Sequence, residues 1–355
     1  MRDAFVYSAN PSRIIFGRGK LATLADEADR IGICRALVLS TPEQAASALD
    51  IAGRLGSRSA GTFTGAVMHT PVEVTDQALA VAKDLGIDGI VAVGGGSTIG
   101  LGKAIALRTD LPQIVVPTTY AGSEVTPVLG ETRDGQKVTQ TNLKVLPEVV
   151  IYDVDMTLGL PERMSATSGI NAIAHAVEAL YAMNGNPIID MMAAAGVRSL
   201  AGALPRIVAN PMDLAARSEA QYGAWLCGTC LGAVGMSLHH KLCHTLGGSF
   251  NLPHAETHTI VLPHALRYNA PAVPGAIAAL ASALGASDPA LELFDLAGRL
   301  GAPRGLKDIG MPESGIDEAV DRALANPYYN PRPLDRASLR ASIAAAWAGG
   351  PPQGN

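Results

Sequence analysis

The chain has 355 residues, 48% of them hydrophobic and 17% charged, with a formal net charge of −5. That composition supplies enough apolar material for two ordinary cores, and it excludes a disordered chain and a non-specific nucleic-acid binder. Four cysteines (Cys34, Cys227, Cys230, Cys243) are too few for a disulfide scaffold, and the start MRDAFVYSANPSRIIFGRGK lacks the apolar stretch of a signal peptide.

In chain order, RALVLS (35–40) reads as a strand and TPEQAASALDIAGRLG (41–56) as a helix, with Thr41 as N-cap and Pro42 at the first helical position. GTFTGAV (61–67) is a weaker strand and TPVEVTDQALAVAKDLG (70–86) a helix. GIVAVGGGS (89–97) is a buried strand ending in glycine, TIGLGKAIALR (98–108) is helical, and PQIVVPTT (112–119) is a strand. Asp134-Gly135, flanked by polar β-formers, signals a hairpin. PEVVIYDVD (147–155) supplies a last strand. This alternation predicts a parallel sheet covered on both faces.

Beyond Met156 the strand pattern stops. SGINAIAHAVEALYA (168–182), MMAAAGVRSLAGAL (191–204), HTIVLPHALRYN (258–269) and RASLRASIAAAWAG (336–349) are alanine-rich helical segments. The stretch 220–238 is uncharged and holds Gly228 and Gly232 in GxxxG spacing, but its glycines, Gln221 and Thr229 mark a closely packed helix of a soluble domain rather than a membrane span. The expected organisation is an α/β domain over 1–156 and an all-helical domain over 157–355, with GGPPQGN as a frayed tail. A soluble, cytoplasmic protein that binds neither membrane nor nucleic acid is expected.

Gly94-Gly95-Gly96-Ser97 follows a buried strand and opens a helix, where glycines and free N–H groups admit a phosphate. Ser97 and Ile99 break the P-loop and GxGxxG patterns. A glycine-rich turn without ligand is the alternative. Thr118, Thr119 and Ser123 follow the next strand, at the carboxyl edge where open α/β sheets bind ligands. Two such loops on successive strands favour a cofactor site.

Histidines concentrate in the helical half. Asn171 and His175 are spaced i, i+4, as are His240 and His244; His254 and His258 lie one turn apart after Pro253. Imidazoles so grouped can hold a transition metal or act as acids and bases. His239, beside His240, is expected on a different helix face. Cys227 and Cys230 form a CxxC inside a buried helix and read as core packing; adjacent helical positions argue against a Cys243–His244 dyad.

GGGS-x5-K (Gly94 to Lys103), PTT…GSE (Pro117 to Glu124), Asn171-x3-His175 and H-x3-H-x-L-G…P-H (His240 to His254) together resemble the iron-containing (group III) alcohol dehydrogenases, over nearly the whole chain. The resemblance implies a dinucleotide-binding α/β domain, a helical metal-binding domain, and chemistry between them. It places dinucleotide contacts at Thr41, Gly94, Gly95, Gly96, Ser97, Thr118, Thr119 and Ser123.

The departures matter. The family's metal-ligand positions fall on Asn171, His175, His240 and His254, with a neutral amide where metal-binding members carry aspartate. No bound metal is therefore expected. Gly100 replaces a usual aspartate, and PTTYAGSE is one residue short. Thr41 stands where NAD-selective members often carry aspartate, so NADH and NADPH are both expected to serve.

Three segments, GGGSTIGLGKAIAL, PTTYAGSEVTP and HHKLCHTLGG, look most like the maleylacetate reductase branch of that family. That branch reduces a conjugated dicarboxylate with a nicotinamide in aromatic-compound degradation. The resemblance implies a homodimer, His244 as proton donor, and His240, His254 and His175 as partners of the substrate's oxygens. Lys144, Lys241 and Arg267 are candidates for the substrate carboxylates by proximity. A metal-dependent alcohol or polyol dehydrogenase, and a lyase of the dehydroquinate synthase type, are the alternatives.

Overall fold

The computed structural model describes residues 4–133, 136–325 and 328–353. These form two compact units. One is Ala9–Leu160; the other runs from Pro161 onward and includes the short N-terminal segment through Ser8.

The first unit contains, in chain order, β1 (Arg13–Phe16), α1 (Leu24–Arg30), β2 (Ala36–Leu39), α2 (Ala45–Leu55), β3 (Ser59–Phe63), α3 (Val72–Leu85), β4 (Gly89–Gly94), α4 (Gly96–Thr109), β5 (Gln113–Pro117), β6 (Val128–Arg133), β7 (Gln136–Thr141) and β8 (Val149–Tyr152). Six strands form a parallel sheet in the order β1-β8-β5-β4-β2-β3. The inner strands are buried along their whole length, as their aliphatic runs require.

Alternate side chains feed two apolar layers. Val38, Val91, Val93 and Val116 meet Leu24, Ala28, Ala48 and Ile51 on one face. Leu37, Leu39, Ile90, Ala92 and Val115 meet Ala78, Ala82, Ile99 and Ile105 on the other. The chain runs outward from β2 to β3 and returns to β4 on the other side of β2. The carboxyl ends of β2 and β4 therefore flank a topological switch point, where such sheets bind ligands.

β1 and α1 were not anticipated from the sequence. β1 is a four-residue edge strand whose first residue, Arg13, is exposed, so it leaves no clear pattern. β3 covers Ser59–Phe63 rather than 61–67. The expected turn residues Asp134 and Gly135 lie outside the described residues, but β6 and β7 on either side pair antiparallel, as the hairpin signal implies.

The second unit has helices and no strand among its described residues: α5 (Glu162–Ala179), α6 (Pro187–Ala209), α7 (Leu214–Ala233), α8 (Leu238–Phe250), α9 (His254–Asn269), α10 (Pro274–Leu284), α11 (Pro289–Arg299), α12 (Gly315–Ala325) and α13 (Arg336–Ala348). Every residue of α5 from Ser165 to Ala179 is buried, so the helix is enclosed on all sides by its neighbours. The close helix approach is made by Gly196 of α6 and Gly223 of α7. A Cβ on Gly223 would lie 3.0 Å from the Gly196 carbonyl oxygen.

The expected long glycine helix breaks. α7 ends at Ala233, the Gly235 N–H bonds the Asn184 side-chain oxygen at 2.8 Å, and α8 restarts at Leu238. The tail departs from expectation as well: Pro352 is buried, and Gly350 N–H bonds the Ala345 carbonyl.

Candidate active site

The eight expected cofactor positions cluster at the carboxyl edge of the parallel sheet. Thr41 follows β2, Gly94–Ser97 follow β4, and Thr118 and Thr119 follow β5, with Ser123 in the loop beyond. Gly94 has φ +151°, and a Cβ there would lie 2.5 Å from Thr98 Oγ1 and 2.8 Å from Gln44 Oε1. A Cβ on Gly95 would lie 2.8 Å from Thr119 Cγ2. Gly96 instead faces open space, and no side chain caps the N-terminus of α4. The first N–H groups of a 14-residue helix thus meet a glycine opening, which fits a phosphate.

Two residues here escaped the sequence reading. The Gln44 amide donates to Thr118 Oγ1 at 2.9 Å, tying the β2 loop to the β5 loop. The Thr41 hydroxyl donates to the Glu43 carboxylate, which its own backbone N–H also holds below the ordinary range. Gly100 has a local cause. A Cβ there would lie 2.4 Å from the hydroxyl of Thr70, a buried residue at φ +47°. Thr70 fills the space that an aspartate at Gly100 would need.

Lys103, the lysine of the glycine motif, is fully buried. Its ammonium donates to the carbonyls of Ser123 (2.6 Å), Thr126 (2.8 Å) and Val128 (2.9 Å) and to Thr126 Oγ1 (2.9 Å). Burial pulls Lys103 down to about 7, and the Glu124 carboxylate opposes that shift. Glu124 itself accepts from the Tyr152 hydroxyl at 2.8 Å. The PTT…GSE loop is therefore wrapped around a buried cation. Ser123 gives its carbonyl to that scaffold.

In the helical unit, α5 carries Asn171 and His175, α8 carries His239, His240 and His244, and α9 carries His254 and His258. Their rings form one cluster. The His240 ring centroid lies 5.1 Å from His175, 5.0 Å from His239, 5.0 Å from His258 and 6.3 Å from His244; His254 lies 4.2 Å from His258. His175, His239, His240 and His258 are buried, His254 is half-buried and His244 is exposed.

The position of His239 corrects the expectation that it faces away. The first turn of α8 is embedded, so adjacent positions are both enclosed. Asn171 Oδ1, His175 Nδ1, His240 Nε2 and both ring nitrogens of His258 lack a protein hydrogen-bond partner.

Burial is the main cause lowering every deep imidazole, and neighbouring histidines add to it. His240 falls to about 3 and His239 to about 4, with His175 and His258 well below the ordinary value. These rings are neutral at pH 7. They can hydrogen-bond a substrate, but they offer it no positive charge.

Glu178 was not recognised from the sequence. It lies fully buried on α5 and accepts from the N–H groups of Ser237 (2.9 Å) and His239 (2.8 Å) and from His240 Nδ1 (2.7 Å). Burial raises its carboxyl, against the pull of those donors. A helical Glu at i+3 from His175 reads as surface charge unless the enclosure of α5 is known.

The donor set is rich in imidazole and lacks a free carboxylate. Three donor atoms converge within 4.8 Å of one another, among the described residues, only at His239, His240 and His258. His239 Nε2 already faces the His258 carbonyl at 3.0 Å, and the Glu178 oxygens are engaged with N–H donors. Asn171 and neutral imidazoles supply no anionic ligand for a hard or borderline cation.

The basic candidates each have a partner of their own. Lys144 pairs with Asp110 at 3.1 Å, Arg267 pairs with Asp288, and Lys241 lies over the Tyr328 ring. Cys227 and Cys230 are buried thiols, pushed up by burial. Cys243 Sγ lies 3.5 Å from His239 Nε2.

Comparison with known proteins agrees with this architecture along the whole chain. The family described as iron-containing alcohol dehydrogenase matches residues 11–154, and its C-terminal counterpart matches residues 165–347. A maleylacetate reductase of Sphingobium indicum is 56% identical over 348 residues, 98% of this chain and 99% of that protein. One of Burkholderia cepacia is 56% identical over 347 residues, again 98% of this chain and 99% of that protein. The crystal structure of a maleylacetate reductase from Agrobacterium tumefaciens superposes with a TM-score of 0.95 at 54% identity, covering 99% of this chain and all of that one. The matches run the length of the chain, which belongs to the iron-containing alcohol dehydrogenase family of oxidoreductases, within it to the maleylacetate reductases.

Proposed function

We propose that this protein reduces the conjugated C=C bond of maleylacetate to 3-oxoadipate with a nicotinamide dinucleotide, and that turnover needs no tightly held cation. The dinucleotide, when bound, supplies a hydride to the carbon β to the ketone. Gly94–Ser97 at the start of α4 hold its phosphates, and Thr41, Thr118 and Thr119 border them. Both NADH and NADPH are accepted on this reading; the Glu43 carboxylate beside Thr41 disfavours a 2′-phosphate and tilts the preference to NADH.

The observation that carries the proposal is the neutral donor set around His240. Reduction of a simple ketone leaves a localised, strongly basic alkoxide, which gains most from a Lewis acid. Reduction of an enone leaves an enolate, whose charge is spread over carbon and oxygen and can be steadied by hydrogen bonds. Asn171 and the imidazoles of His175 and His254 suit the second case, with His240 as an acceptor beside them. His244, the exposed ring of the cluster, exchanges protons with solvent and returns one to the substrate carbon.

The substrate is a dicarboxylate, and the enzyme acts in the cytoplasm as a homodimer on this reading. Phe5, Val6 and Tyr7 are consecutive exposed apolar residues, which supports a covering second copy.

The test is spectrophotometric oxidation of NADH with maleylacetate, before and after exhaustive chelation. Undiminished turnover with formation of 3-oxoadipate is expected. Activity lost on chelation and restored only by iron or zinc would establish the metal-dependent alternative.

A further inference from the structure

We propose that Glu178 is a positioning residue which, with His239, fixes the His240 ring as its Nδ1–H tautomer, so that the nitrogen left for the reaction, Nε2, is a bare acceptor. The inference rests on the enone-reductase reading for its kinetic consequence, and on geometry alone for the tautomer.

His239 Nε2 lies 3.0 Å from the His258 carbonyl oxygen, which can only accept, so Nε2 carries the hydrogen. Its Nδ1 is then a lone pair, and it lies 3.3 Å from His240 Nδ1. Two facing lone pairs would repel, so His240 Nδ1 must carry a hydrogen. That hydrogen points to Glu178 Oε2 at 2.7 Å, with the His239 lone pair as a second, weaker acceptor.

Glu178 is suited to receive it. Its Oε1 accepts from His239 N–H, and its Oε2 accepts from Ser237 N–H and more distantly from His240 N–H. The carboxylate on α5 therefore caps α8 from outside, in place of a side chain at Ser237, which makes no cap bond of its own. One group sets both where α8 begins and which nitrogen of His240 is protonated. The remaining nitrogen, His240 Nε2, is buried without a protein partner. In its neutral state His240 takes a hydrogen from a substrate or solvent oxygen rather than giving one to an oxyanion.

The tautomer is read directly by ¹⁵N–¹H correlation of histidine-labelled enzyme, with the His240 signals assigned from a His240→Asn sample. Wild type is expected to show a protonated Nδ1 and an unprotonated Nε2. Glu178→Gln removes the charge that favours Nδ1–H and leaves one carbonyl oxygen for the N–H donors of Ser237, His239 and His240, so the protonated-Nδ1 population should fall. It should lower kcat about 10-fold or more while KM for NADH stays within about 2-fold. Glu178→Asp keeps the carboxylate and should recover part of kcat whatever its thermal stability.

An unprotonated Nδ1 in wild type, or a Glu178→Gln enzyme with wild-type kcat, overturns the assignment. So does a folded Glu178→Asp enzyme no faster than Glu178→Gln. Should Glu178→Gln not fold, the wild-type spectrum and the kcat of Glu178→Asp decide. Failure of wild type to turn over maleylacetate would defeat the substrate reading and would be seen in the assay, separately from the tautomer in the spectrum.

Discussion

His244 is the exposed imidazole of a cluster whose deeper members are shut away from solvent. Proton delivery requires exchange with water, so we expect His244→Ala to lower kcat by about 10²–10³. NADH affinity, measured by fluorescence titration, should change less than about 2-fold. Near-normal turnover would remove His244 from the mechanism. Single residues also mark where reading the sequence fails. His239 and His240 are neighbours in the chain, and helical geometry sends them to different sides, yet both are enclosed because α5 and α9 pack around the first turn of α8. Glu178 gave no signal: a buried acid and a surface acid are the same letter, and only the N–H groups of Ser237 and His239 tell them apart.

At the scale of elements, α4 and the loop that follows β5 act as one device. The Lys103 ammonium replaces the hydrogen-bonded partners that the carbonyls of Ser123, Thr126 and Val128 would otherwise lack. Lys103→Met leaves those carbonyls without a donor, and it also leaves the buried Glu124 without its nearby cation. We expect a stability loss of roughly 2–4 kcal/mol in urea unfolding. The loop carrying Thr118 and Thr119 should loosen, so KM for NADH should rise several-fold with a smaller change in kcat. A stable variant with unaltered KM would show that the loop holds its shape without the cation. The lysine was visible as part of a motif, but its role was not, because the oxygens it gathers lie 20 to 25 residues further along.

For the whole molecule, the buried histidines set a pH limit. His175, His239, His240, His258 and His264 are all lowered, by burial first and by neighbouring imidazoles in the cluster. Between the ordinary histidine value near 6.5 and their folded values, the unfolded chain binds protons that the native state refuses. Stability therefore falls as pH drops below 6.5, by about 1.4 kcal/mol per pH unit for each such histidine. We expect the melting temperature to decline steeply from about pH 6 downward, before the carboxylates titrate. A melting temperature that is flat from pH 7 to 5 would mean that these rings are protonated in the native state.

The sequence by itself determined the class of fold and the kinship. Aliphatic runs fixed the inner strands, the change from strand to alanine-rich helix marked two kinds of structure, and motif spacing identified the family and the glycine turn. These are local signals, carried by periodicity and by residues adjacent in the chain. The tertiary structure decided what enclosure decides: that the buried imidazoles of α5, α8 and α9 share one neutral cluster, that Glu178 caps α8, and that Lys103 holds the β5 loop. Such contacts join residues tens of positions apart, and burial, rather than residue type, converts a surface acid or base into a positioning group.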